Sequence, residues 1–346
     1  MINFFLGLFS YDLGIDLGTA NTLVYVVGKG IAVRESTTIA RNKRTREILA
    51  IGNQAAKMMG KTGRNIEVLR PLKGGVVADF DGAAALLSHY IHKVHERGKL
   101  YPRIPRPHVV IGIPSGITEV ERRAVIEVAM KAGARKVDLV SEVVAASIGA
   151  QGKGKNDSIR AIIDIGGGTT DIALLVDNRE AFSTSLRTAG DSMDEAIIEF
   201  VKLKYSLLIG QPTAEQTKIA LADAAPTHEM FQVVRGRDLE TGLPRSVRIT
   251  NFELYEALKG SFAAISDAVI QLFEEAPPEL VAEVLENGVV LTGGGSLIRH
   301  LDQELGKRLK VAVRIAEDPL TTVVRGCGKL LSDKKLLSQV AYKNRK

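Results

Sequence analysis

Cysteine is almost absent: Cys327 stands alone in 346 residues. This excludes a disulfide framework and any cysteine-built metal cluster, and it fits a reducing compartment. Tryptophan is missing and aromatic residues make up only 5% of the chain. That is too little for a stacking platform that grips single-stranded nucleic acid, and no nucleic-acid partner is expected. No apolar run approaches the ~20 residues needed to span a bilayer. The Walker phosphate-loop pattern, G-x-x-x-x-G-K-[ST], is also missing. What is present is a folded-protein composition, 45% hydrophobic and 25% charged. The length suffices for about two or three domains. A net charge of +6, from 46 basic and 40 acidic residues, favours anionic partners without selecting one.

The first nine residues open on an apolar face. At about 100° per residue, Ile2, Phe4, Phe5, Leu8 and Phe9 share one side of a helix. With no basic n-region and no cleavage site, this is not a signal peptide. Two readings remain: an interfacial membrane anchor, or a strand or helix end packed on the core. Beyond it the pattern alternates. Leu13–Ile15, Thr22–Val27, His108–Ile113 and Val137–Val140 read as strands, and Thr118–Ala132 and Val143–Ala150 as helices, the first ended by Gly133. The polar stretch Gln151–Asp157 separates two halves, after which the scheme starts again. Strands alternating with helices predict an α/β architecture with sheets covered by helices.

The two halves echo each other. Gly14-Ile-Asp-Leu-Gly-Thr19 is repeated as Ile163-Asp-Ile-Gly-Gly-Gly-Thr169, each leading into a second strand-like run. This predicts a duplicated fold with a pseudo-twofold cleft. In each copy an aspartate ends a strand and glycine then permits a tight turn. The backbone N–H groups of such a turn can cradle phosphate oxygens. Turns built around Gly18 and around Gly166, Gly167 and Gly168, facing one another, would clamp a polyphosphate. Asp16 and Asp164 would then hold a magnesium ion through its water shell. A third cluster, Val289-Val-Leu-Thr-Gly-Gly-Gly-Ser-Leu-Ile298, runs from an apolar strand into glycines, with Ser296 as a candidate helix N-cap. It suits the sugar–adenine end of a nucleotide.

The order DLGT, DIGGGT, TGGG resembles the actin-like ATPase superfamily. Over nearly its whole length the chain is similar to the MreB family of bacterial actins. The matching segments include Gly14–Thr22, Arg70–Phe80, Pro114–Ala124, Gly190–Ala196, Thr213–Glu215, Gly236–Leu239 and Glu317–Leu320. The resemblance implies an α/β, duplicated actin-like (ribonuclease H-like) fold of two lobes. Lobe I would cover 10–150 with a small insertion at about 32–75, and lobe II 151–346 with an insertion at about 186–250. It implies that Thr19, Ala20 and Asn21 hold the β- and γ-phosphates of ATP or ADP, opposed by Gly166–Gly168. Glu215 and Lys218 would reach the ribose and adenine, and Gly293, Gly294, Gly295 and Ser296 would line the nucleoside. Glu142 and Thr169 would orient the attacking water; Glu142 read by itself is also an ordinary helix-start carboxylate. The resemblance further implies a slow ATPase that assembles with itself into antiparallel double filaments. These would lie in the cytoplasm on the inner face of the membrane, work with cell-wall elongation proteins and set cell shape. A loop near Leu100 and Tyr101 would dip into the lipid beside the N-terminal segment. A sugar or acetate-type kinase and a chaperone-type ATPase are the alternatives on the same fold.

The sequence departs from the family pattern at Glu35-Ser-Thr-Thr-Ile39 and Glu142-Val-Val-Ala-Ala146, where prolines are usual, and at Asp171, where Glu is more frequent. It is read as a divergent member or paralogue. Three minor features take plain structural readings. His89, His92 and His95 lie on a packed or solvated helix face. Arg41–Arg46 is a solvated loop, or one facing lipid or a neighbouring subunit. Cys327 is a small buried apolar residue.

Overall fold

The computed structural model describes residues 10–96, 105–151 and 161–342. The N-terminal anchor residues Phe4, Phe5, Leu8 and Phe9, the loop residues Leu100 and Tyr101, and most of the polar stretch after Gln151 lie outside them. Two five-stranded sheets dominate. In the first, Leu13–Leu17 pairs antiparallel with Asn21–Val26, which pairs antiparallel with Gly30–Ser36; on its other side Leu13–Leu17 runs parallel to His108–Ile113, and that to Lys136–Ser141. In the second, Ala161–Ile165 pairs antiparallel with Thr170–Val176, followed by Arg179–Leu186. On its other side it runs parallel to Val289–Thr292, and that to Val313–Ile315. The strand order is the same in both, so the internal echo is a duplicated fold.

The central strands read as near-continuous apolar runs because helices cover both faces. All five residues of Ala161–Ile165 are buried. Against the first sheet packs the helix Phe80–His95, with Leu86, Leu87, Tyr90, Ile91 and Val94 in the core. Helix starts follow their capping residues. Thr118 precedes the helix Glu119–Lys131 in a capping box: its hydroxyl accepts from Glu121 N–H at 3.3 Å, and the Glu121 carboxylate accepts from Thr118 N–H at 2.9 Å. Gly133, at φ +116°, follows the end of that helix. There are also two small three-stranded sheets. One is Ile48–Ile51, Ile39–Asn42 and Ile66–Leu69; the other is Leu207–Leu208, Phe231–Asp238 and Pro244–Thr250.

One reading of the basic run changes. Arg41 is not in a solvated loop: it lies in the strand Ile39–Asn42, 5% exposed, with its guanidinium on Glu67 at 2.9 Å and Asp79 at 2.6 Å. Two carboxylates compensate a buried cation that water no longer reaches. His95 is packed as expected, with Nδ1 2.6 Å from the Ile91 carbonyl oxygen.

The described residues cluster into two compact units. One holds 10–151, Leu175–Ser183 and 320–342; the other holds 161–174 and Thr184–Pro319. The C-terminal helices thus differ from the boundary drawn at 150/151, which placed them in the second lobe. The reason is close packing. Helix Thr322–Ser332 meets helix Glu142–Ala150 so tightly that a methyl group on Gly326 would overlap the Ala145 carbonyl oxygen, and one on Gly149 the Thr322 carbonyl oxygen. The orphan carbonyls at the end of Glu142–Ala150 are then satisfied by cations from the same partner. Arg325 donates to Gly149 O at 2.6 Å and Lys329 to Ile148 O at 2.7 Å. Backbone meets backbone here, so neighbouring side chains cannot swing aside. Gly326→Ala is therefore expected to destabilise the chain by about 1–3 kcal/mol or more in urea unfolding. An unchanged midpoint would contradict this packing.

Candidate functional site

In the first unit, Asp16 and the turn after it are set by the hairpin Leu13–Leu17/Asn21–Val26, in which Leu17 faces Thr22. The turn is braced from behind by the end of strand Gly30–Ser36. Thr37 Oγ1 donates to Gly18 O at 2.7 Å and lies 2.8 Å from Thr22 Oγ1, and Ala20 O accepts from Thr37 N–H at 2.9 Å. Thr19 is buried, and its hydroxyl accepts from Gly75 N–H at 3.0 Å. Asn21 is exposed. The hydroxyl-rich segment 36–38 stands where the resemblance implied a proline. Here Ser36 N–H donates to Asn53 Oδ1 at 3.0 Å, a bond that proline cannot make.

Asp16 pairs with Gly112 across the parallel strands, and Gly112 pairs with Val140 two residues before Glu142. A methyl group on Gly112 would sit 3.2 Å from Glu142 Cγ and 4.0 Å from Cys327 Sγ. The structure therefore brings Asp16 and Glu142 to the same end of this sheet. Burial pushes the Asp16 carboxyl up to about 7. Burial, then the charges of Asp16 and Glu142, push the Cys327 thiol up as well, so it stays an uncharged core group.

In the second unit, Asp164 pairs with Thr292 and lies buried, 6% exposed. Gly166 to Thr169 form a closed turn, with Gly166 N–H donating to Thr169 O at 2.9 Å; Thr169 is buried. The third glycine cluster lies against this turn. Gly293, at φ +79°, has no room for a side chain, because one would overlap Asp164 Oδ1 and the Ile165 carbonyl oxygen. Ser296 is not a helix N-cap, contrary to expectation. It sits inside the 3₁₀ helix Gly294–Leu297, capped by Gly293, and its buried hydroxyl donates to Gly293 O at 2.7 Å. A 3₁₀ turn tightens the chain one residue earlier than an α-helix would.

Glu215 and Lys218 lie on the helix Gln211–Leu221, packed beside the helix Gly190–Tyr205. Lys218 is turned inward. Its ammonium donates to Gly190 O at 2.7 Å and lies 2.8 Å from Asp194 Oδ1. Burial pushes the Asp194 carboxyl up to about 6, opposed by the charge of Lys218. Asp194 and Gly190 were not singled out as site residues, nor were Thr37 and Gly75. A lone hydroxyl or carboxylate inside a strand or helix carries no sequence signal of what it will brace.

Among the described residues, no helix is long and apolar enough to cross a membrane. Ser10 and Tyr11 are tied to both flanks of residues 97–104. Tyr11 N–H donates to His95 Nε2 at 3.0 Å, and Arg106 N–H donates to Ser10 Oγ at 2.8 Å.

Comparison with known proteins supports one family over almost the whole chain. The family model for MreB/Mbl protein matches residues 10–339. The cell shape-determining protein MreB of Escherichia coli K12 is 44% identical over 336 residues, covering 96% of both chains. The cell shape-determining protein Mbl of Bacillus subtilis 168 is 43% identical over 328 residues, covering 94% of this chain and 97% of that one. Crystal structures of MreB5 of Spiroplasma citri superpose with TM-scores of 0.87 with AMPPNP bound and 0.86 with ADP bound. They are 36% and 35% identical, covering 95% and 96% of this chain and 98% of each of theirs. The fold is actin-like, and the chain belongs to the MreB/Mbl family.

Proposed function

We propose that this protein is an ATP-dependent, actin-like cytoskeletal protein that polymerises on the inner face of the cytoplasmic membrane and organises cell-wall synthesis. One observation carries the reading: the two Asp–Gly turns occupy equivalent hairpins of two sheets with the same strand order, in a family whose Spiroplasma citri member binds AMPPNP and ADP. Gly18, Thr19, Ala20 and Asn21, and likewise Gly166, Gly167 and Gly168, take the β- and γ-phosphates. Glu215 reaches the ribose, while Gly293, Gly294, Gly295 and Ser296 line the nucleoside. Glu142 and Thr169 orient the water for a slow hydrolysis, holding and polarising it by carboxylate and hydroxyl.

Asp16 fits a cation. Its carboxyl is raised to about 7 by burial, and a group in that setting gains much from a nearby positive charge. Asp16 and Asp164 suit a magnesium ion that keeps its waters, which would neutralise phosphate charge. Without nucleotide the same burial is a cost. The folded pKa lies above the ordinary 3.8, so ionisation penalises the folded state increasingly from about pH 4 to pH 7.

Bound ATP would favour the subunit conformation that stacks head to tail, and hydrolysis would shift the population away from it. Stacking that does not close generates filaments. Membrane contact through Phe4, Phe5, Leu8 and Phe9, together with Leu100 and Tyr101, is supported by their attachment points. Ser10 and Tyr11 are bonded to Arg106 and His95, so the two apolar segments join the fold at neighbouring positions. Lys29, stacked over the Tyr11 ring at 3.7 Å, adds positive charge there for acidic lipid.

Four outcomes are expected. Electron microscopy of the purified protein with ATP on acidic lipid should show membrane-bound filaments. Deleting residues 2–9 should abolish pelleting with acidic vesicles; full retention would remove the anchor. Asp164→Ala should abolish magnesium-dependent ATP binding in calorimetry, and unchanged affinity would overturn the metal assignment. Asp16→Asn should raise the apo melting temperature at pH 8 more than at pH 5 while weakening ATP binding. A stability gain equal at both pH values would contradict the buried-carboxylate account.

A further inference from the structure

The Gly166–Gly168 turn is held by more than its own Gly166 N–H to Thr169 O bond. Its carbonyls are caught from behind by the start of helix Gly190–Tyr205: Gly190 N–H donates to Gly166 O at 3.1 Å, and Asp191 N–H donates to Gly167 O at 2.8 Å. The approach is close enough that a methyl group on Gly190 would lie 3.3 Å from Gly166 O, 3.4 Å from Gly167 Cα and 3.3 Å from Lys218 Nζ.

Lys218 completes the brace. Its ammonium donates to Gly190 O, and that carbonyl belongs to the same peptide group as the Asp191 N–H. A cation on the oxygen polarises the peptide and makes its N–H a stronger donor to Gly167. Asp194, one turn along the helix and 1% exposed, supplies the counter-charge at 2.8 Å. The pair sets an ammonium against a carboxylate that burial has stripped of water. A buried ion pair of that kind is weak evidence for stability, since two apolar side chains would fill the space at lower cost. Its position, on the far side of a phosphate-type turn, gives it another use.

We propose that Lys218, held by Asp194, is a positioning residue for the terminal phosphates: through the Gly190–Asp191 peptide it sets the Gly166–Gly168 turn, and it does not itself contact the nucleoside. This rests on the reading that the chain binds ATP. The ammonium already holds Gly190 and Asp194, which leaves the ribose and adenine to Glu215 and the third glycine cluster.

The test compares ATP and adenosine affinities of the full chain with magnesium, by competition against a fluorescent nucleotide. Lys218→Met strands a buried carboxylate and can fail to fold, so the informative variant is the neutral pair Lys218→Met with Asp194→Asn, checked by urea unfolding. The paired variant should lose about tenfold or more in ATP affinity with adenosine affinity unchanged. Lys218→Arg, which keeps a cationic donor, should recover part of that loss. Equal losses for ATP and adenosine would overturn the proposal by placing Lys218 on the nucleoside, and so would unchanged ATP affinity in the folded pair. A native chain that binds no ATP would instead overturn the nucleotide reading itself.

Discussion

A backbone turn can receive phosphate only in a fixed shape, and groups from outside the turn help to fix it. Both Asp–Gly turns of this chain are held from behind, by different means. Around Gly18 the brace is made of hydroxyls: Thr37 on the Gly18 carbonyl and against Thr22, with Gly75 N–H on Thr19. Around Gly166 and Gly167 it is a helix start, Gly190 and Asp191, stiffened by a buried cation. Duplication reproduced the strand order and the aspartate. Each copy then found its own support.

The charges that would be costly in an ordinary core follow the same logic. Asp16 is raised to about 7 and Asp194 to about 6, both chiefly by burial. Neither is where a fold optimised for stability alone would keep a carboxylate. Arg41, by contrast, is buried between two carboxylates of its own small sheet and needs no ligand to explain it. The difference separates a charge that its own sheet compensates from Asp16, whose carboxyl burial holds well above its ordinary value.

Much of the fold was legible. Period and caps marked the strand His108–Ile113 and the helix after Thr118, because a capping box and a run of β-branched residues are local signals. The Asp–Gly echo announced the duplication, and the observed sheet orders match it. Other features were not legible because they depend on residues distant in the chain. Ser296 looked like an N-cap by its spacing, yet the packing of Gly293 against Asp164 and Ile165 drew the segment into a 3₁₀ turn. Arg41 looked solvated in a basic run, but Glu67 and Asp79 come to it only in the folded sheet. The C-terminal helix reads as a continuation of the second half until Gly326 and Gly149 let it pack against Glu142–Ala150.

The amino-acid sequence alone determined the alternation of strands and helices, the repeated Asp–Gly turns and the resemblance to bacterial actins, since each is written in residues close together along the chain. Tertiary structure alone decided which groups stand behind those turns: Thr37 behind Gly18, and the Lys218–Asp194 pair behind Gly166 and Gly167. The physical reason is that a phosphate-binding turn is specified by its glycines, which are local. The charge and hydroxyl groups that hold it in shape need only arrive at the right distance, and any part of the chain can deliver them.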